Sequence, residues 1–248
     1  MYDILIAMAE KDFIKFSFVY NSIIQHLEGF DTVHCVTPVR VPMKLRIEGV
    51  QYSLDEEAID FDFSNCKGII KERTNWYKQQ FIDLFQVVTS DHYLQVDADI
   101  CFNRKVNVIE NGKPSFLFGK DQDHTPYREL TQKLFGFGRE YPYSFINEMM
   151  YFKRDVIQSL VETTGLNKYG VFELIINEVN KTQEESGFSE YDTYGNYVVK
   201  YFKDSYNYTH LNVLRTSKRR LWKKEEMQTL INKHKNSDYD VIAYHSYL

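Results

Sequence analysis

Tyr93-Leu94-Gln95-Val96-Asp97-Ala98-Asp99-Ile100 is the stretch around which the chain is organised. A short apolar run reads as a buried strand and ends in two carboxylates. Strand interiors disfavour Asp, so the pair belongs where the strand stops. Residues i and i+2 of an extended chain point the same way, which lets Asp97 and Asp99 converge. Carboxylates held close repel each other unless a cation sits between them. Mg²⁺ or Mn²⁺ takes oxygen ligands, often one or two carboxylates together with substrate phosphates. The stretch therefore reads as a metal–diphosphate site. An isolated Asp-x-Asp is also what a solvated acidic turn looks like, so the surrounding chain has to decide.

Upstream, residues 2–8 read as a first buried strand, followed by a polar loop, Ala9-Glu10-Lys11-Asp12. Asp12 is placed to cap a helix from Phe13 to about Leu27, with Phe16, Val19, Tyr20, Ile23, Ile24 and Leu27 at helical spacing and Gly29 ending it. Thr32–Thr37 is a second strand, closed by Pro38. In such a strand–helix–strand unit the loop after the first strand lies at the carboxyl edge of the sheet, where ligands bind. Residues 40–63 read as irregular, with short strands and a solvated acidic run, Asp55-Glu56-Glu57. A helix from Trp76 to about Val88, capped by Thr74 or Asn75, leads into the Asp97 strand. Trp76, Phe81, Leu84 and Phe85 form its packing face, with Gln79 and Gln80 close by. Neither G-x-G-x-x-G after the first strand nor G-x-x-x-x-G-K-[ST] occurs, so no dinucleotide cofactor and no P-loop is expected.

Downstream come a turn at Gly112-Lys113-Pro114, a strand over Ser115–Gly119, and a loop and helix over His124–Phe135. Tyr141–Phe152 is apolar with a polar break at Asn147-Glu148. Helices are expected at about 155–164, ended by Gly165, and at about 170–180. Ser189 then caps a helix whose first turn carries Glu190 and Asp192. Acids there are favoured by the helix dipole alone. They also suit a general base ringed by Tyr191, Tyr194 and Tyr197. Residues 215–235 are basic and amphipathic, which reads as a solvated helix, with a phosphate clamp or a membrane-surface contact as the alternatives. Val241–Leu248 is a strand leading to His245, a candidate third metal ligand.

The chain has 248 residues, 43% of them apolar, enough for one large α/β domain or two small ones, and no linker or repeat divides it. A net charge of -5 with interspersed signs gives no basic face, so nucleic acid is not an expected partner. The three cysteines, Cys35, Cys66 and Cys101, form no C-x-x-C, which supports neither zinc nor a redox pair; reduced thiols fit a cytoplasmic protein. No signal peptide is read at the first strand, and no run of about 20 apolar residues spans a membrane. Aromatics reach 16%, which core packing explains, although a sugar groove uses the same residues.

At this point the residues carry a resemblance. Asp97-Ala98-Asp99 after an apolar strand, in a chain beginning β-α-β, resembles the D-x-D of GT-A-fold glycosyltransferases. Three blocks are similar to one bacterial and viral family of that fold: Asn75-Trp76-Tyr77-Lys78-Gln79-Gln80, Tyr93–Ile100, and Phe188-Ser189-Glu190-Tyr191-Asp192-Thr193-Tyr194-Gly195-Asn196-Tyr197. Order and spacing match across roughly residues 2–200, and the F-S-E-Y-x-x-Y-G-N-Y block is the most specific. Tyr244-His245-Ser246 is similar to the C-terminal metal-binding His of many such enzymes. The family usually has Gly before the Trp, where this chain has Asn75.

The resemblance implies a single GT-A-type α/β domain over 1–248, with a Rossmann-like mixed sheet flanked by helices. Residues 1–103 would be the nucleotide-sugar-binding half. Residues 104–248 would be the acceptor-binding half with the C-terminal metal-ligand segment. It implies a metal-dependent glycosyltransferase moving a sugar from a UDP- or GDP-sugar donor to a hydroxyl of a glycan or other acceptor. Mn²⁺ or Mg²⁺ would sit on Asp97, Asp99 and His245. Ala7, Lys11, Asp12, Arg73, Gln80, Asp97 and Ala98 are the candidates for donor contact. Inversion needs a carboxylate to take the acceptor proton; Glu190 is the first candidate and Asp192 the second. The donor pocket would lie over the first-strand loop, and residues 144–151 and 188–197 would frame the acceptor groove. Three other classes of protein share part of this pattern. A haloacid-dehalogenase-type phosphatase would use Asp97 as nucleophile, but carries that motif on its first strand. A sugar-phosphate nucleotidyltransferase needs a Gly-rich basic loop where this chain has Ala7-Met8-Ala9-Glu10. A non-catalytic sugar-binding scaffold would not need Asp97, Asp99 and Glu190 intact.

Overall fold

Ile4, Leu5 and Ile6 run consecutively and are all fully buried, which requires cover on both faces of their strand. The computed structural model describes residues 1–63, 70–118, 124–216 and 224–244, the side chains of 70–72 and 224 excepted. In chain order the elements are β1 (Tyr2–Ala7), α1 (Phe16–His26), β2 (Phe30–Thr37), β3 (Val50–Leu54), α2 (Asp55–Ala58), α3 (Ile70–Phe85), β4 (His92–Val96), β5 (Ile100–Phe102), β6 (Ile109–Glu110) and β7 (Lys113–Phe118). There follow α4 (Thr125–Phe135), β8 (Met149–Lys153), α5 (Arg154–Glu162), α6 (Lys168–Thr182), α7 (Glu190–Tyr201), β9 (Asn207–His210), β10 (Val213–Arg215), α8 (Lys224–His234) and β11 (Val241–Ala243). The central sheet has the order β3-β2-β1-β4-β8. Its first four strands are parallel, and β8 runs antiparallel to β4. The expected mixed α/β sheet flanked by helices is thus present.

Strands from both proposed halves share sheets. β4 pairs with β8, and β5 pairs with β11, which also carries β10. A third sheet joins β7 to β6 and β9. Its hairpin turns on Asn111 (φ 53) and Gly112 (φ 76), both left-handed, so the turn lies before Pro114, which is paired within the sheet.

Several local expectations shift for reasons of burial. Asp12 does not cap α1, which begins at Phe16. Lys15 is buried at 2% exposure and needs a counter-charge, and Asp12 supplies it at 2.8 Å. Asp55 is not solvated; it is buried and bridges to Lys78 at 2.6 Å. Helix α3 starts at Ile70 rather than Trp76, and breaks at Arg73 (φ -112, ψ 16), so the expected caps Thr74 and Asn75 fall just after a kink. It stops at Phe85 because the Gln86 side-chain oxygen takes the amides of Val88 and Thr89 at 2.7 and 3.1 Å.

Helix α7 begins as expected, with the Ser189 hydroxyl accepting from the Asp192 amide at 3.3 Å. Every residue from Glu190 to Val198 is buried. A Cβ at Gly195 would overlap the Phe145 ring, so only glycine lets that ring press against the helix. The Tyr194 hydroxyl accepts from the Lys153 amide at 2.9 Å, Asn196 accepts from the Glu140 amide at 2.7 Å, and Tyr197 bonds Ser159 at 2.8 Å. Two of the three tyrosines expected to ring a base are thus anchors of the fold. Of the basic 215–235 stretch, residues 217–223 lie outside the described residues. Arg215 pairs with Glu148 at 2.6 Å, and α8 buries Met227 and Leu230. Among the described residues no helix is long and apolar enough to cross a membrane.

Candidate active site

The carboxyl ends of β1, β2 and β4 open onto a cleft of about 580 Å³. This is the edge where ligands settle in open α/β sheets. Its floor is Ala7 and the loop behind it, which brings Lys11 and Asp12. Asp97, Ala98 and Asp99 form one wall. The other wall is α3, whose Asn75, Lys78, Gln79 and Ile82 share the helix face that looks into the cleft. Trp76 also reaches the cleft, as do Asp55 beside Lys78 and Thr37 at the end of β2.

Asp97 and Asp99 meet at this wall for a different reason from the one their spacing implied. β4 ends at Val96 and β5 begins at Ile100, so residues 97–99 are a turn and not extended chain. The turn is held by the Asp97 amide donating to the Glu148 carbonyl at 3.0 Å, and by Gln95 donating to the Asp97 carboxylate at 3.2 Å. The Tyr244 amide donates to the Asp99 carbonyl at 2.7 Å, so the end of the described chain is tied to this turn. His245 lies outside the described residues.

Of the candidate donor residues, Ala7, Lys11, Asp12, Asp97 and Ala98 line the cleft, and Arg73 and Gln80 do not. Arg73 lies over the Trp76 ring at 4.8 Å and donates to the Ser186 hydroxyl at 2.6 Å. Gln80 is buried and accepts from the Glu190 amide at 3.1 Å, which ties α3 to the start of α7. Glu190 and Asp192 stand behind that contact, each 8% exposed. The stretches 144–151 and 188–197, expected to frame an acceptor groove, are buried except for Ile146, which is half-buried. Their apolar side chains are spent on the core, so they do not form open walls.

Burial and mutual repulsion act on the acids together. Loss of water pushes the Asp97 carboxyl well above the usual carboxylate range, and Asp99 and Glu148 push it further. Glu190 is pushed up to about 8 by burial, partly offset by amides at the helix start. A residue not singled out by sequence shares this environment. Asp83 of α3 is fully buried, and neither of its carboxyl oxygens has a hydrogen-bond partner among the described residues. Burial, then Glu190, then Asp97 hold it well above the usual range. Its signal was an acid inside the apolar run Phe81–Phe85. The Gln80 amide nitrogen, the Gln95 amide oxygen and the Tyr191 hydroxyl are likewise buried without a hydrogen-bond partner.

Among the described residues no set of three or more His, Cys, Asp or Glu is arranged to hold a metal ion. Two carboxylates on one turn nevertheless suit a hard divalent ion, which draws its remaining ligands from phosphate oxygens and water. Lys78 and Lys11 share the cleft with four carboxylates, Asp12, Asp55, Asp97 and Asp99, and Lys78 is paired with Asp55, so an anionic ligand there would need a cation beside it.

Neither a comparison with protein families nor one with curated proteins finds a match to this chain. Among solved structures, galactosyltransferase LgtC in complex with donor and acceptor sugar analogs aligns over 98% of this chain and 86% of its own, at 12% identity and a TM-score of 0.49. The apo form of mouse xyloside xylosyltransferase 1 aligns over 98% and 97% respectively, at 8% identity and a TM-score of 0.42. These likenesses are too slight to carry function, which has to rest on the residues.

Proposed function

We propose that this chain is a glycosyltransferase that moves a sugar from a nucleotide-diphosphate donor to an acceptor hydroxyl. The observation that carries the reading is that Asp97 and Asp99 line one cleft at the carboxyl edge of the sheet, together with Lys11 and Lys78. A UDP- or GDP-sugar is the proposed donor, and a hydroxyl of a glycan the proposed acceptor. Residues 1–103 supply most of the donor cleft within one 1–248 domain.

Asp97 and Asp99, with His245 following Tyr244 in the chain, would hold Mn²⁺ or Mg²⁺. Such an ion, when bound, neutralises charge on the leaving diphosphate. Ala7 and Ala98 offer close approach to the ligand, and Lys11 and Lys78 orient its phosphates. In the transfer, the acceptor oxygen forms a bond to the anomeric carbon. The bond from that carbon to the diphosphate oxygen breaks and leaves with its electron pair. The hydroxyl proton passes to Glu190, with Asp192 as the second candidate, and the sugar inverts. A carboxyl titrating near 8 is matched to proton transfer close to neutral pH, so turnover should rise with pH up to that value.

A thermal-shift screen of nucleoside diphosphates and sugar nucleotides, with and without Mn²⁺, tests the reading. A ligand that binds the native state raises the melting temperature by mass action. The expected result is a shift that needs both one nucleotide and the metal. A well-folded sample that shifts with none of them would overturn the proposal in favour of a scaffold or a phosphatase.

A further inference from the structure

Three separate elements meet at Ser186. Arg73, at the kink of α3, donates from Nη1 to the Ser186 hydroxyl at 2.6 Å. His124, immediately before α4, has its Nε2 2.9 Å from the Ser186 carbonyl. Tyr127, in the first turn of α4, packs edge-on against the His124 ring at 4.4 Å and also bonds Ser186. The pull of the contacts is inward. Tyr127 lies close enough to Glu190 and Asp192 for both to raise its phenol, after burial, to about 12. Arg73 rests on Trp76, which reaches the donor cleft. The cluster therefore bridges the cleft and the first turn of α7. It stays open to solvent, with Arg73 and His124 side chains 39% and 38% exposed.

Its charge selects against anions. Glu185 stands 3.9 Å from Arg73 and Glu184 stands 3.9 Å from His124, while Glu190 and Asp192 lie behind Tyr127. Carboxylates thus outnumber the cations. What the cluster offers is a mixture: guanidinium donors, carboxylate acceptors, and an imidazole and a phenol that do both. The Trp76 indole stands beside them, under Arg73. Neighbouring hydroxyls on a saturated ring ask for this alternation of donors and acceptors, and the C–H face of such a ring packs on aromatic groups.

We infer that Arg73, His124 and Tyr127 form the acceptor subsite, and that it takes a neutral pyranose. The inference deepens the proposed transfer and rests on it for the word acceptor. The binding site itself can be read without turnover. Tyr127 and His124 set specificity by holding the ring, and the hydroxyl to be glycosylated points toward the first turn of α7.

Saturation-transfer NMR on the full chain with methyl glucopyranoside, galactopyranoside and mannopyranoside needs no donor. At least one is expected to give a signal in the wild type, falling about fivefold or more in both Tyr127→Phe and His124→Ala. Circular dichroism confirms that each variant is folded, and the two positions guard against a single failed fold. Equal signals in wild type and both variants would overturn the subsite. So would no signal with any pyranoside, or a stronger one with methyl glucuronoside. If pyranoside binding stands and no sugar nucleotide shifts the protein, the transferase reading fails while the sugar subsite survives.

Discussion

Two acidic pairs with the same spacing sit on different backbones in this protein, and they behave differently. Asp97 and Asp99 occupy a turn between β4 and β5, half-open to the cleft, and both line it. Glu190 and Asp192 occupy the first turn of α7, both buried, and neither lines it. On a helix, residues two apart do not share a face. The Glu190 amide turns to Gln80 of α3, while the Asp192 carbonyl accepts from Asn196. A turn can gather two carboxylates on one ligand in the cleft, whereas Glu190 and Asp192 both stand behind the Tyr127 ring and outside the cleft lining. The first pair suits charge binding and the second suits the handling of a single proton.

The comparison breaks or sharpens under mutation. Glu190→Gln should lower transfer by about 10²–10⁴-fold, the usual worth of a general base, and leave the donor-dependent thermal shift in place. Retention of full activity would hand the role to Asp192. Gly195→Ala, which sets a methyl against the Phe145 ring, should cost about 1–3 kcal/mol of overpacking. Urea unfolding measures it, and an unchanged midpoint would mean that α7 is less tightly seated than its contacts indicate. Asp99→Ala should weaken nucleotide binding in Mn²⁺ at least tenfold, about 1.4 kcal/mol, with little change in its absence. Equal affinity in calorimetry would remove the turn from the donor site.

A further effect concerns pH. Glu190 keeps its proton when folded up to about 8, against an ordinary value of 4.5. Between those limits the folded state binds more protons than the unfolded one, so its contribution to stability falls as pH rises. Urea midpoints should therefore drop from pH 5 to pH 8, and Glu190→Gln should flatten the slope. Parallel slopes in the two proteins would show that Glu190 ionises freely when folded. Asp83→Asn should act in the same direction, gaining on the order of 1 kcal/mol at pH 8 by removing a buried carboxylate without a partner.

Much of the cleft was legible beforehand. The apolar runs that make β1 and β4, the loop carrying Lys11, and the Asp97 turn all have signatures within a few residues. The block from Asn75 to Gln80 was legible only as a block. Its outward face proves to be Asn75, Lys78 and Gln79, while Gln80 turns inward to α7. Which way each side faced depended on what packed against the kinked helix. The Phe188–Tyr197 block was conspicuous in sequence, yet most of its residues hold α7 in the core: Thr193 on Thr131, Tyr194 on β8, and Gly195 under Phe145.

Sequence by itself determined what depends on near neighbours: the buried strands, the Ser189 cap, the left-handed glycines at 112 and 165, and the break of β4 at a pair of acids. Only the tertiary structure decided the rest. Gln80 meets Glu190 across 110 positions, and Arg73 meets Ser186 across 113. Asp83 becomes an acid without a partner only once α7 and the Asp97 turn close over it. Desolvation and charge proximity are properties of where the chain returns, and they turn polar residues on one helix into the supports of two sites.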